Sequence, residues 1–233
     1  MRAIVCADII SSSLLSEQQL ITTQKGMKEY LRMAELWLKA HDCEFWGRVV
    51  RGDTLECYLD TPHFALRMAL LLKTQIMLLS TQNMESEVVE QRTKQAIKQG
   101  VRVSIGVGEM RIANQKMDVL DGEAVYLAGR ELDTQHTSGK SRVSIKRTLF
   151  FSFRETECTE VVTILLECID VILRKATTNQ IEIVFHKLQG KKDREIADIV
   201  GKTIPTINQQ STNIGWNVIS NILNYYEQKL FPL

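Results

Sequence analysis

Two aspartates in this sequence stand where a carboxylate must be either solvated or bound. Asp8 closes the apolar run Arg2–Ala7, a buried-strand signal, and Asp53 sits at the tip of the turn Arg51-Gly52-Asp53 between two strand-like runs. Burying either one unpaired would be expensive. Brought together from a strand end and a hairpin tip, they form a hard-oxygen site suited to Mg²⁺ or Mn²⁺. Just after Asp8, the backbone of Ile9 to Ser13 leads toward a helix, and free N–H groups at a helix start attract phosphate. Ile9, Ser11, Ser12 and Ser13 are therefore the candidate phosphate contacts. The plainer alternatives are a strand terminator for Asp8 and a turn residue for Asp53.

The order of motifs adds to this. The chain reads A-D-I-I-S-S-S at Ala7–Ser13, R-G-D at Arg51–Asp53, R-V-S-I-G-V-G-E at Arg102–Glu109 and G-E-A-V-Y-L-A-G-R at Gly122–Arg130. This order resembles the catalytic domain of class III nucleotide cyclases, over roughly the first 150 residues, and is similar to the small bacterial SatD family. The resemblance implies that Asp8 and Asp53 hold two divalent ions with a nucleoside triphosphate. It implies that Arg130 is the catalytic arginine facing the phosphate under attack, a role a forked guanidinium suits. It also implies a homodimer whose sites take aspartates from one copy and the arginine from the other. The plain reading of Arg130 is a helix-surface arginine paired with Glu131 or Asp133. Three family positions differ: the transition-state asparagine falls on Tyr126, the base-reading lysine on Val49 and the base-reading aspartate on Val119. Arg48, Arg51, Asp118 and Asp121 lie nearby but not in register. These departures favour a nucleotide-binding domain without full activity over an active cyclase.

A second pattern lies near the C-terminus, at Arg194–Ile207. Ala197 is small where helices approach, Gly201 suits a helix end with φ > 0, Thr203 suits an N-cap, and Pro205 falls in a first helical turn. Ile196, Val200 and Ile207 point into a shared core. The set resembles the helix-turn-helix of LuxR-type regulators and sigma-factor region 4. It makes Lys202, Thr203, Thr206, Asn208, Gln209 and Gln210 the candidate DNA contacts. Asn and Gln can read base edges, but phosphate affinity comes mainly from Lys and Arg, and the second helix has no cation. Use of the same motif for packing or dimerisation is the alternative.

These residues need elements to position them. Periodicity predicts a helix from about Glu17 to Ala40, a hairpin of Phe45–Val50 with Thr54–Leu59, and a helix from Pro62 to about Leu79. It then predicts a strand at Val101–Val107, a helix at Gly122–Leu132 and strands at Arg142–Ile145 and Thr148–Phe153. Beyond these come a helix at Glu157–Arg174 and one at Ile181–Leu188, and the final helix around Trp216–Tyr226 reads as a packing or dimer surface. The implied fold class is an α/β (α+β) ferredoxin-like, cyclase-type sandwich at residues 1–155, a connector helix at 156–176 and an all-α helix-turn-helix domain at 177–233.

Composition sets the outer limits. At 44% hydrophobic, a chain of 233 residues is globular rather than disordered. With 29 Lys+Arg against 28 Asp+Glu, bulk charge gives no drive toward DNA or anionic membranes. No run is long enough to span a membrane, and no secretory leader is expected. Cys6, Cys43, Cys57, Cys158 and Cys168 read as buried thiols, which places the chain in the cytoplasm. His63 and His136 read as surface residues, Gly106 and Gly108 as packing glycines, and Met68 and Met77 as core. A non-catalytic interaction protein is the third functional class in view.

Overall fold

The computed structural model describes residues 1–10, 12, 15–50, 52–82, 100–134 and 147–233. The chain is a mixed α/β protein. Strand β1 (Arg2–Ile9) leads to helix α1 (Glu17–Lys39), the hairpin β2 (Phe45–Val50) and β3 (Thr54–Leu59), and helix α2 (Ala65–Gln82). Then follow β4 (Val101–Gly108), a second hairpin of β5 (Met110–Asn114) and β6 (Val119–Gly122), α3 (Glu123–Thr134) and β7 (Leu149–Phe153). The main sheet has the order β2-β3-β1-β4-β7. Neighbours are antiparallel except β4 and β7, which run parallel. The hairpin expected at 45–59 forms with the expected bounds, and Gly52 in its turn has φ +81, which a side chain would resist.

Alternation along β1 divides the sheet into two faces. Ala3, Val5, Ala7 and Ile9 join Met27, Tyr30, Ala34 and Leu38 of α1 and the apolar side of α2, Met68 and Met77 among them. Ile4 and Cys6 instead join Trp46, Tyr58 and Phe150 under Ala124, Ala128 and Leu132 of α3. That second contact requires Gly106. A Cβ there would lie 2.2 Å from the Ala124 carbonyl oxygen and 2.5 Å from the Ala128 nitrogen.

Five more elements complete the chain. These are α4 (Thr156–Lys175), α5 (Thr178–Leu188), α6 (Asp193–Val200), α7 (Ile204–Ile214) and α8 (Trp216–Tyr225), with a π-helical turn at Tyr226–Leu230. Their ends are set locally. Thr177 and Gln180 form a capping box on α5, and Gly201 closes α6 in the left-handed region at φ 64. Thr203 accepts the Thr206 amide at the start of α7, with Pro205 in the first turn. Ile196, Ala197 and Ile207 are buried together with Ile183, and Val200 packs against them, as the spacing required.

The last elements also bury apolar residues in the main cluster beside α2. Ile219, Ile222, Leu223, Tyr226 and Phe231 are all part of it. Polar contacts tie the same seam. Arg67 of α2 donates to both carboxylate oxygens of Glu227, at 2.7 and 2.8 Å, and to the Leu188 carbonyl at 3.0 Å. His63 is a correction to the sequence reading: it is buried, and its Nδ1 donates to the Phe231 carbonyl at 2.7 Å. Cys168 is another, being exposed, while Cys158 is half-buried and the other three cysteines are buried. The β5–β6 hairpin was not expected, because its outward residues Arg111, Ile112 and Ala113 blur the alternation. The strand expected at Arg142–Ile145, along with His136, lies outside the described residues. Among the described residues no helix is long and apolar enough to cross a membrane.

Candidate functional site

Asp8 and Asp53 meet at one end of the sheet. Asp8 pairs with Thr54 in the β1–β3 register, and the Ile9 amide donates to the Asp53 carbonyl at 3.1 Å. The Asp53 carboxylate accepts the Ser12 hydroxyl at 3.0 Å and the Thr54 hydroxyl at 3.3 Å. From α1, Gln24 donates its side-chain amide to the Gly52 carbonyl at 2.6 Å and steadies the turn. A strand-end aspartate and a turn aspartate thus lie on adjacent backbone at one corner of the sheet, the latter bound to a serine hydroxyl.

Asp8 has a further partner that the sequence reading did not assign. In the β1–β4 register it lies opposite Arg102, whose Nε donates to Oδ1 at 2.9 Å while Nη2 binds Oδ2. The pair is largely enclosed, with side chains 9% exposed for Arg102 and 19% for Asp8. On the other face of the sheet, Lys73 of α2 is buried and donates to the Val101 carbonyl at 2.7 Å. Burial lowers its ammonium to about 8, against the opposing pull of Asp170 and a smaller one from Asp8. Asp170 is buried in turn. It accepts the amides of Thr148 at 2.5 Å and Leu149 at 3.2 Å, together with the Thr148 hydroxyl, and so fixes the start of β7.

The donor set fits a divalent cation in type, since it offers two carboxylates and a hydroxyl. Both oxygens of Asp8 are engaged by Arg102, however, so a cation must displace the guanidinium to use them. The expected phosphate cradle changes in detail. The Ile9 amide is committed to the Asp53 carbonyl and the Ile10 amide to the Gly100 carbonyl. Helix α1 begins at Glu17, where its periodicity placed it, behind a capping box made by Ser16 and Gln19. Ser12 remains beside Asp53, and Ser11 and Ser13 lie outside the described residues.

Arg130 stands apart. It is exposed on α3, on the side opposite Ala124 and Ala128, and with Tyr126, Val125, Gly129 and Asp133 it lines a shallow surface depression. The polar residues around Val49, Val119 and Tyr126 are engaged with one another. Arg48 donates to Glu56 at 2.9 and 2.7 Å and forms an ion pair with Asp118 at 3.1 Å. The Tyr126 hydroxyl donates to Asp121 at 3.0 Å, and Arg111 pairs with that same carboxylate. The β5–β6 hairpin is held to β2 and to α3 by these contacts.

In the C-terminal helices, Lys202, Thr203, Asn208 and Gln209 are exposed. Two other candidate DNA contacts are partly occupied. Gln210 is half-buried and accepts Gln180 at 3.1 Å, and the Thr206 hydroxyl lies 2.9 Å from that of the capping Thr203. Comparison with family models, with curated proteins and with solved structures finds no match for this chain.

Proposed function

We propose that the chain is a regulatory protein in which a cyclase-like sandwich binds a nucleoside triphosphate with Mg²⁺ or Mn²⁺ and controls a C-terminal helix-turn-helix. The meeting of Asp8 and Asp53 beside Ser12 carries this reading. The strand order β2-β3-β1-β4, with α1 and α2 on one face, supports a ferredoxin-like sandwich. Divalent ions bound at Asp8 and Asp53 would neutralise phosphate charge and orient the nucleotide. Of this chain's own residues, Ser12 orients the Asp53 carboxylate, and Arg102 holds Asp8 until a stronger cation competes for it. Tyr126, at the position of the cyclase transition-state asparagine, is bound to Asp121. Arg48 and Asp118, beside but not at the base-reading positions Val49 and Val119, are bound to each other. That supports binding over turnover. Calorimetry with Mn²⁺ and each nucleoside triphosphate tests the site. Asp53→Asn should weaken binding at least about tenfold, the weight of one charge-assisted contact; unchanged affinity overturns the assignment. Steady release of pyrophosphate by the wild type would instead establish the active-cyclase alternative.

The helix-turn-helix is proposed to bind DNA weakly and with strong salt dependence, since Lys202 is the cation its exposed candidate set offers. Fluorescence anisotropy of the full chain on duplex DNA from low to physiological salt measures this. Affinity insensitive to salt would remove DNA from the reading.

A further inference from the structure

Helix α4 buries Val162, Leu166, Ile169 and Leu173 against the molecule and leaves a second stripe outside. Ile164 is 62% exposed and Val171 is 46% exposed, large values for aliphatic side chains on a well-formed helix. The outer stripe runs Glu157, Val161, Ile164, Cys168, Val171, Lys175, with Val161 half-buried and the rest exposed. Those positions alternate by four and three residues, the spacing of a coiled-coil seam rather than of scattered surface residues. The charge is polarised along the helix. Glu155, Glu157 and Glu160 stand at its start, and Arg174 and Lys175 in its last turn.

We infer that this stripe is the contact for a second copy of the chain, packed antiparallel about a two-fold axis. In that orientation the seam matches itself. Val161 meets Val171 of the second copy, Ile164 meets its Cys168, and Glu157 meets its Lys175. A parallel pair would oppose Glu157 to Glu157 and Lys175 to Lys175, placing like charges in register at both ends. The axis brings Glu167 of the two copies near one another, and each is already compensated by Arg147 of its own chain at 3.2 Å. A second copy is thus the occupant whose apolar residues and charges both complement the stripe. The inference is independent of nucleotide binding, because Asp8, Asp53 and Arg130 take no part in it. It differs from the shared-site dimer implied by the cyclase resemblance, which would use the outer face of α3.

Sedimentation equilibrium of the full chain across roughly 10–500 µM tests the contact, since a patch at the small end of specific interfaces implies a Kd on the order of 1–100 µM. Wild type should dimerise. Ile164→Asp should be monomeric with unchanged circular dichroism, because the side chain it replaces is exposed. Glu157→Lys should weaken the dimer about five- to tenfold through two symmetric repulsions, and adding Lys175→Glu should restore it to within about twofold. The two Cys168 thiols should be joined by a short bismaleimide, their backbones lying about 10–12 Å apart given helical rise and interaxial distance. Cys168→Ser should remove the cross-link. A monomeric wild type at the highest concentration overturns the inference. So does a dimer that survives Ile164→Asp, and above all one lost in Tyr126→Asp, which would belong to the α3 face instead.

Discussion

At the corner of the sheet, Asp8 reaches Arg102 across 94 positions of sequence and Asp53 reaches Ser12 across 41. In the C-terminal helices the distances along the chain are short: Thr177 bonds Gln180, Lys187 bonds Asp193 at 2.6 Å, and Thr203 caps onto Thr206. The two regions obey different rules. The helices are specified turn by turn, and each cap works whatever the rest of the chain does. The corner exists only if three strands and a hairpin turn take the correct register, because a one-residue slip sends every side chain to the other face. The polar groups at the corner therefore depend on global folding, whereas these caps and short-range pairs do not.

Substitutions test this contrast, and the largest effect belongs where the regions join. Arg67→Met leaves the Glu227 carboxylate buried without its partner and removes a donor from the Leu188 carbonyl. Breaking one side of a buried pair costs about 3–5 kcal/mol, to be read from urea denaturation. If only the C-terminal helices melt, the regions are energetically separable; a single transition joins them.

Lys73 gives the next effect. Its ammonium stands near 8 when folded and 10.5 when unfolded, so the folded state binds the proton less tightly. Stability is penalised below about pH 8 and rises between about pH 8 and 10.5, by on the order of 3 kcal/mol. Burial pushes the Cys6 and Cys57 thiols up, which works in the opposite direction at alkaline pH. The comparison is therefore wild type minus Lys73→Met at pH 7.5, 9 and 10.5, roughly bracketing the lysine. Loss of the rise in the variant is expected; identical slopes would remove Lys73 from the account.

Gly106→Ala tests the sheet directly. The added methyl meets the backbone of α3 at both Ala124 and Ala128. A loss of about 1–3 kcal/mol by thermal melting is expected for such overpacking. The smallest effect should be local. Thr203→Ala removes one cap from α7 and should cost about 1 kcal/mol, with the sheet corner unchanged by amide exchange.

This contrast also explains what could be read in advance. Gly201, Thr203 and Pro205 announced their turn because a left-handed glycine, a capping hydroxyl and a first-turn proline act within a few residues. The turn at Gly52 was legible for the same reason. Asp8 and Asp53 were legible as solvated or bound carboxylates, and their proximity came from matching motifs separated along the chain. Arg102 was part of a quoted motif, yet its pairing with Asp8 depends on the antiparallel register of β1 and β4, which no local pattern encodes. His63 was misplaced because its partner, the Phe231 carbonyl, lies 168 positions away. The Arg48–Asp118 pair depends on a hairpin whose strands expose too much polar surface to alternate cleanly.

Arg67 grips two structures with one planar head, the end of α5 at Leu188 and the terminal turn at Glu227, and its guanidinium also lies 5.8 Å from the centre of the Trp37 ring of α1. Mechanically this is a bracket rather than a pivot. A side chain bonded to two bodies lets them translate together with α2 but resists their sliding past each other. A displacement begun in the α1–α2 layer would be delivered to the last helices as rigid motion, undamped by a swinging linker.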